Sequence, residues 1–207
     1  MKKTIILFIP LVFFVANLFG QQSLSFEAGQ VFSKFRFVDN KGGQTKDFEY
    51  QAGGCYNLHY NYITQEGIFV RLGVGMRKSG ATTKYGKVPV SWNLNYLDAT
   101  IGLGYAYTKI RFKPYFCAEH YFGFLLKAWQ TLGSNNIDLK KYNNMSQQDF
   151  GLFVIPGVRM DLSDQLAVFS EYKQMIGLAN LEKSNGQKLN NRGFIISLGV
   201  AANISQP

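Results

Sequence analysis

From Phe48 to Tyr62 every second residue is aromatic, aliphatic or small: Phe48, Tyr50, Ala52, Gly54, Tyr56, Leu58, Tyr60 and Tyr62. Between them stand Glu49, Gln51, Gly53, Cys55, Asn57, His59 and Asn61. A helix would scatter the first set around its circumference, whereas a strand places it on one face. A run of about 15 residues far exceeds the usual 5 or 6 of a strand in a globular protein. Tilted strands that cross a bilayer and continue past it have that length.

The alternation returns along the chain. Ile68, Val70, Leu72, Val74 and Met76 oppose Phe69, Arg71, Gly73, Gly75 and Arg77, and Leu97 to Tyr107 oppose Asp98, Thr100, Gly102 and Gly104. Phe116, Ala118, Phe122, Phe124 and Leu126 oppose Cys117, Glu119, Tyr121, Gly123 and Lys127. Three later runs, near 150–160, 166–176 and 194–204, set Gly151, Gly157, Arg159, Glu171, Lys173, Ser197 and Gly199 against apolar residues. A first strand over about 24–37 changes parity near Gln30 and Val31, which predicts a bulge there. Eight strands result.

The predicted connections alternate in length. They run to about 10 residues at 38–47, 5 at 63–67, 14 at 78–91, 6 at 108–113, 18 at 130–147, 4 at 163–166 and 13 at 179–191. Up-and-down membrane barrels show this asymmetry, with short periplasmic turns and longer outer loops. The predicted fold is therefore all-β: an eight-stranded antiparallel up-and-down transmembrane β-barrel. A soluble carrier barrel, the competing architecture, turns its apolar parity inward. Here the polar parity suits a narrow interior. It is rich in glycine and carries five acids and five bases: Glu27, Glu49, Asp98, Glu119 and Glu171 with Arg71, Arg77, Lys127, Arg159 and Lys173. These ten form the candidate lumen charge network, and the larger apolar set is expected to face lipid.

Composition agrees with that placement. Charged residues make up 17% and aromatics 15%, a poor match to disorder, which is rich in charge and poor in aromatics. Lys2 and Lys3 precede an apolar run over 5–16, and Gly20 offers a small residue before Gln21. That order predicts a signal peptide over 1–20, cleaved near Gly20, with the barrel domain over 21–207. Loss of two lysines takes the net charge from +9 to +7.

At this point the chain resembles the small eight-stranded outer-membrane barrels of the OmpA/OmpX type, and more closely the PorT-type barrels common in Bacteroidota. The resemblance covers roughly residues 22–204 and is carried by the segment Leu166 to Tyr172 (LAVFSEY) and by the final strand, Gly193 to Ile204. The chain departs from the family pattern by ending in Ile204, Ser205, Gln206 and Pro207 instead of an aromatic residue. The resemblance implies residence in the cell outer membrane, with lipid, lipopolysaccharide and the barrel-assembly machinery as partners.

Few residues suggest chemistry. His120 has lipid parity and lacks a serine two residues on, where Phe122 stands; His59 has lumen parity and is expected to join the polar network. Acyl chemistry needs a base within reach of a nucleophile. No catalytic, cofactor-binding or metal-binding residue is assigned, and no cofactor. Cys55 and Cys117 share lumen parity on separate strands and are expected to stay free thiols. Lys78, Lys84, Lys87, Lys140, Lys141, Lys183 and Lys188 fall in predicted loops, where they suit lipopolysaccharide phosphates, an acidic partner or plain solvation. Nucleic acid is excluded as a partner outside the cell. The first reading is a non-enzymatic barrel with a side-chain-plugged lumen, whose loops serve interaction, envelope integrity or a secretion-accessory role. The alternatives are a narrow channel or port for small hydrophobic molecules and a lipid-modifying enzyme.

Overall fold

The computed structural model describes residues 20–39, 41–45, 48–141, 145–182 and 187–205, without the side chains of 44, 45 and 85. The expected leader thus lies almost wholly outside the described residues, as does Lys183. The elements are β1 (Gly20–Val38), β2 (Gln44–Thr45), β3 (Glu49–Thr64), β4 (Ile68–Tyr85) and β5 (Val88–Ala106). They continue as β6 (Phe112–Leu132), β7 (Asn135–Asp138), β8 (Gln148–Asp161), β9 (Leu166–Gly177) and β10 (Lys188–Ser205).

Eight of these, all but the short β2 and β7, form one antiparallel ring. Each pairs with its neighbour in chain order, and β1 pairs with β10 from Gln22↔Ser205 to Val38↔Lys188. Closure matters because hydrocarbon offers no partner to an unpaired strand edge. Leu58, Val74, Ile101, Phe122, Leu198 and Ile204 lie on the outer wall, each about half exposed. The opposite parity is buried.

Strand lengths differ from the sequence expectation in an informative way. The connection expected over 78–91 is mostly strand: β4 and β5 stay paired to Tyr85↔Val88, and only Gly86 and Lys87 make the turn. Gly86 has φ +62°, a conformation that two-residue hairpin turns demand and side chains resist. Likewise β6 runs on to Leu132, and β7 folds back along it to the pair Leu132↔Asn135. Two of the long outer connections are therefore built on regular hairpins that prolong the wall beyond the bilayer. Ser79, Ala81 and the β-branched Thr82 and Thr83 allow this, since they keep the alternation going.

The bulge expected at Gln30 and Val31 is absent. The β1 register shifts instead between Gln22 and Ser23, and one parity holds from Ser23 through Glu27, Val31, Ser33 and Phe35, all buried. Val31 and Phe35 break the polar pattern because the outer half of the interior is itself apolar. Gln30 faces outward and donates its side-chain amide to the Gly53 carbonyl at 2.6 Å, which spares the outer wall an unmade hydrogen bond.

Candidate functional site

The interior is filled in four tiers. At mid-height, Glu27 on β1, Arg71 on β4, Glu119 on β6 and Glu171 and Lys173 on β9 form a continuous ion network. Lys173 Nζ lies 2.5 Å from Glu27 and 3.1 Å from Glu171, and Arg71 lies 2.7 Å from Glu171 and 3.4 Å from Glu119. Neutral donors complete it: Asn57 donates to Glu27 at 2.5 Å, and the Tyr115 hydroxyl donates to Glu171. Arg71 Nε donates to Asn61 at 2.8 Å.

Nearer the outer end, Arg77 on β4 lies 2.7 Å from Asp98 on β5 and 3.2 Å from Asp149 on β8. Its remaining donors reach Ser79 at 2.6 Å and Met175 Sδ at 3.3 Å. The rings of Tyr96 and Tyr121 cover the guanidinium at 4.7 and 4.8 Å. Burying an ion costs several kcal/mol, about as much as a pair returns unless every lone pair and proton is met. Here the donor fork is met on all sides, so the charge is tolerable.

At the periplasmic rim, Arg159 and Lys113 share Asp161 at 3.1 and 2.5 Å, and Arg159 also donates to Asn203 at 2.5 Å.

Above Arg77 the interior is greasy. Phe35, Ala81, Leu94, Tyr96, Leu125, Ala128, Met145 and Leu181 form one buried cluster, with Phe48 and Trp92 packed against it. The rings of Phe35, Phe48 and Trp92 meet edge to face at 5.6–6.0 Å. Met145 and Leu181 come from the outer loops, so the loops cork the wall from above. Each leucine, phenylalanine or methionine side chain so removed from water contributes about 1.5–3 kcal/mol.

The residual voids are small. A mid-barrel cavity bordered by Cys55, His59, Thr100, Glu119 and Lys173 measures about 10 Å³, and one nearer the periplasm, beside Ser25, Phe69 and Phe169, about 20 Å³. Each is of the order of one water. A larger opening lies at the periplasmic mouth, where a recess of about 560 Å³ is lined by Gln21, Arg111, Lys113, Asp161, Ser163 and Asn203.

Glycine supplies the room for the large side chains. A methyl at Gly157 would stand 2.4 Å from the Tyr115 ring, and one at Gly73 would stand 2.3 Å from His59.

Of the ten charged residues expected inside, Glu27, Arg71, Arg77, Asp98, Glu119, Arg159, Glu171 and Lys173 are buried there. Glu49 and Lys127 are not. Lys127 pairs with Asn95, while Tyr96 pairs with Leu125. Leu126 is thus an extra residue that leaves both Leu126 and Lys127 outside and turns Ala128 inward in place of Lys127. Glu49 stands exposed at the outer end of β3, and Phe48 fills the mouth in its place.

Asp149, Tyr96 and Tyr115 belong to the interior and were not expected there, whereas Tyr121 lies inside on its expected parity. Asp149 and Tyr115 share the parity of Gly151 and Cys117, which was the available signal. His59 is buried inside, but its Nδ1 finds no partner among the described residues.

Cys55 and Cys117 are buried free thiols. His120, on the outer wall, stacks on Phe122 at 5.5 Å between Ile101 and Leu152. Among the expected loop lysines, Lys78 and Lys84 lie on β4, Lys87 in its turn, and Lys188 opens β10. Lys140 reaches the Leu125 and Leu126 carbonyls at 3.4 and 3.3 Å and so caps the bulge.

Comparison with known proteins places this geometry. A family profile described as the outer membrane protein beta-barrel domain matches residues 12–201. Among curated protein sequences none matches the chain significantly. The chain is similar in structure to Neisserial surface protein A at 17% identity, with TM-score 0.51 and 88% of this chain and 97% of that one covered. It is also similar to OprG of Pseudomonas aeruginosa at 15% identity, with TM-score 0.50 and coverages of 90% and 97%. The Ail attachment invasion locus protein of Yersinia pestis aligns at 14% identity, with TM-score 0.47 and coverages of 90% and 100%. At such identities the likeness shows the fold alone.

Proposed function

Given that the chain belongs to the outer membrane protein beta-barrel family, we propose that it is a non-enzymatic barrel of the outer membrane with a closed lumen. Its stiff outer hairpins are presented for interaction, envelope integrity or a secretion-accessory role. The observation that carries this reading is the filled interior: an ion network at mid-height and an apolar cork above it, with internal voids of about 10 and 20 Å³. An eight-stranded ring has an interior that side chains can fill, and here they do. A port for hydrophobic molecules would need a path through Leu94, Leu125 and Leu181, which are packed together.

The extended β4–β5 and β6–β7 hairpins suit display, because regular pairing holds their tips in fixed positions. An enzyme reading draws little support from His120, which stacks on a phenylalanine on the outer wall. The proposal includes removal of residues 1–20 on export, testable by the intact mass of protein extracted from outer membranes, and kinship with the PorT-type barrels through Leu166 to Tyr172.

Planar-bilayer recording of the purified barrel tests the closed lumen. No single-channel steps are expected, and steady unitary conductance would reject it. Photocrosslinking from Lys87 and Ser134, at the two hairpin tips, in intact cells tests display: a discrete captured envelope component is the expected outcome, and capture of solvent quencher alone counts against it.

A further inference from the structure

On the outer wall where β1 meets β10, Lys34 stands directly opposite Arg192. Like charges facing each other across a strand pair destabilise it. Among the described residues neither has an ion-pair partner, and Arg192 Nε is shut off from solvent with nothing to donate to. Arg36 and Lys188 follow on the same two strands, facing Asn190 and Val38. Directly below lies an aromatic girdle: Phe32 stacks on Phe194 at 4.9 Å, and Tyr50 and Tyr172 each approach Phe194 at 5.8 Å. Lys34 Nζ sits 4.7 Å from the Tyr50 ring centre.

Height fixes what can neutralise these cations. Outward positions on β10 are apolar from Ile204 to Phe194. Ten residues at about 3.3 Å each, tilted by about 40°, rise about 25 Å, which is the height of the hydrocarbon band. Arg192 is the next outward residue, about 5 Å higher. The four cations therefore stand at the level of the outer-leaflet headgroups, above a greasy wall. An occupant that meets both features has acyl chains against Ile196, Leu198 and Val200 and an anionic group above them.

We propose that Lys34 and Arg192, flanked by Arg36 and Lys188, bind a phosphate of the phosphorylated glycolipid of the outer leaflet, whose acyl chains lie along β1 and β10. Lys34 supplies a point charge and Arg192 a forked donor, both suited to phosphate. The bound phosphate relieves the Lys34–Arg192 repulsion, so this lipid is part of the folded wall. The inference rests on outer-membrane placement and does not depend on the closed lumen.

Native mass spectrometry of the folded barrel in detergent tests it, with bis-phosphorylated lipid A as the probe. Wild type is expected to retain lipid A about tenfold or more better than the same lipid stripped of phosphate. The K34Q/R192Q double variant is expected to lose about that factor, while K78Q/K127Q, on the far side of the rim, changes by less than twofold. Equal retention of the phosphate-free lipid, equal loss in both double variants, or abolition of the preference by millimolar inorganic phosphate would each overturn the proposal. The last would reveal a free-anion site. The lipid comparison on wild type stands even if a variant fails to fold. Melting separates binding from structure: without lipid A the K34Q/R192Q variant should melt no lower than wild type, and with lipid A it should melt lower. A lower melt in both conditions would assign the two residues a purely structural role and sink the idea.

Discussion

Arg77 shows how one side chain holds the interior in tension. Two buried carboxylates, Asp98 and Asp149, face it, and two tyrosine rings close over it. Replacing Arg77 by Met leaves both acids uncompensated, and breaking a buried pair in this way costs about 3–5 kcal/mol. The expected result is a lower denaturant midpoint in detergent-solubilised barrel, followed by tryptophan fluorescence. The triple variant Arg77→Met, Asp98→Asn, Asp149→Asn should recover most of the loss, since the charges leave together; no recovery would show that Arg77 acts by packing and not by charge.

Gly157 offers a second test. A valine there collides with the Tyr115 ring and dislodges the hydroxyl that donates to Glu171. Overpacking of this kind costs about 1–3 kcal/mol, measurable as a shift in the temperature at which the unboiled, folded band is lost on electrophoresis.

At the scale of elements, the β4–β5 hairpin carries the clearest consequence. Its pairing runs unbroken from Ile68↔Tyr105 to Tyr85↔Val88, so Lys87 projects well beyond the bilayer, whereas Glu66 sits in the tight turn at the opposite end. A Lys87→Cys variant should react with a membrane-impermeant maleimide on intact cells, and Glu66→Cys only after the outer membrane is breached. Cys55 and Cys117 are buried and should stay silent in both. The reverse pattern would invert the assigned orientation.

This element was only partly legible in the sequence. Alternation through Met76 announced the strand, but Lys78, Gly80 and Gly86 read as loop residues. A hairpin beyond the bilayer no longer needs apolar outward positions, so the signal faded where the lipid ended and the strand did not. Lys127 was misplaced for a different reason: one extra residue at Leu126 reverses every later parity, and Leu125 and Leu126 are the same residue type.

For the molecule as a whole, the ion network and the apolar cork fill the interior at separate heights, and the proposed closure of the lumen assigns each a seal of its own. Leu94, fully buried, is expected to cost about 2–5 kcal/mol when cut to alanine, lowering the denaturant midpoint. Conductance should nevertheless stay absent, because the charges below still fill the barrel. Channel activity appearing in Leu94→Ala would mean that the cork alone is the seal.

The sequence by itself determined the eight strands of the ring, the apolar wall that faces lipid and the charged middle of the interior. All of these follow from period-two alternation, which neighbouring residues impose through the strand's own geometry. Tertiary structure decided which charges meet. Lys173 and Glu27 are 146 positions apart, and Lys34 faces Arg192 only because the first and last strands close the ring in one register. Parity is local, but register, bulges and closure depend on the summed fit of all eight ribbons. The partners across the lumen and along the closing seam therefore exist only once the ring does.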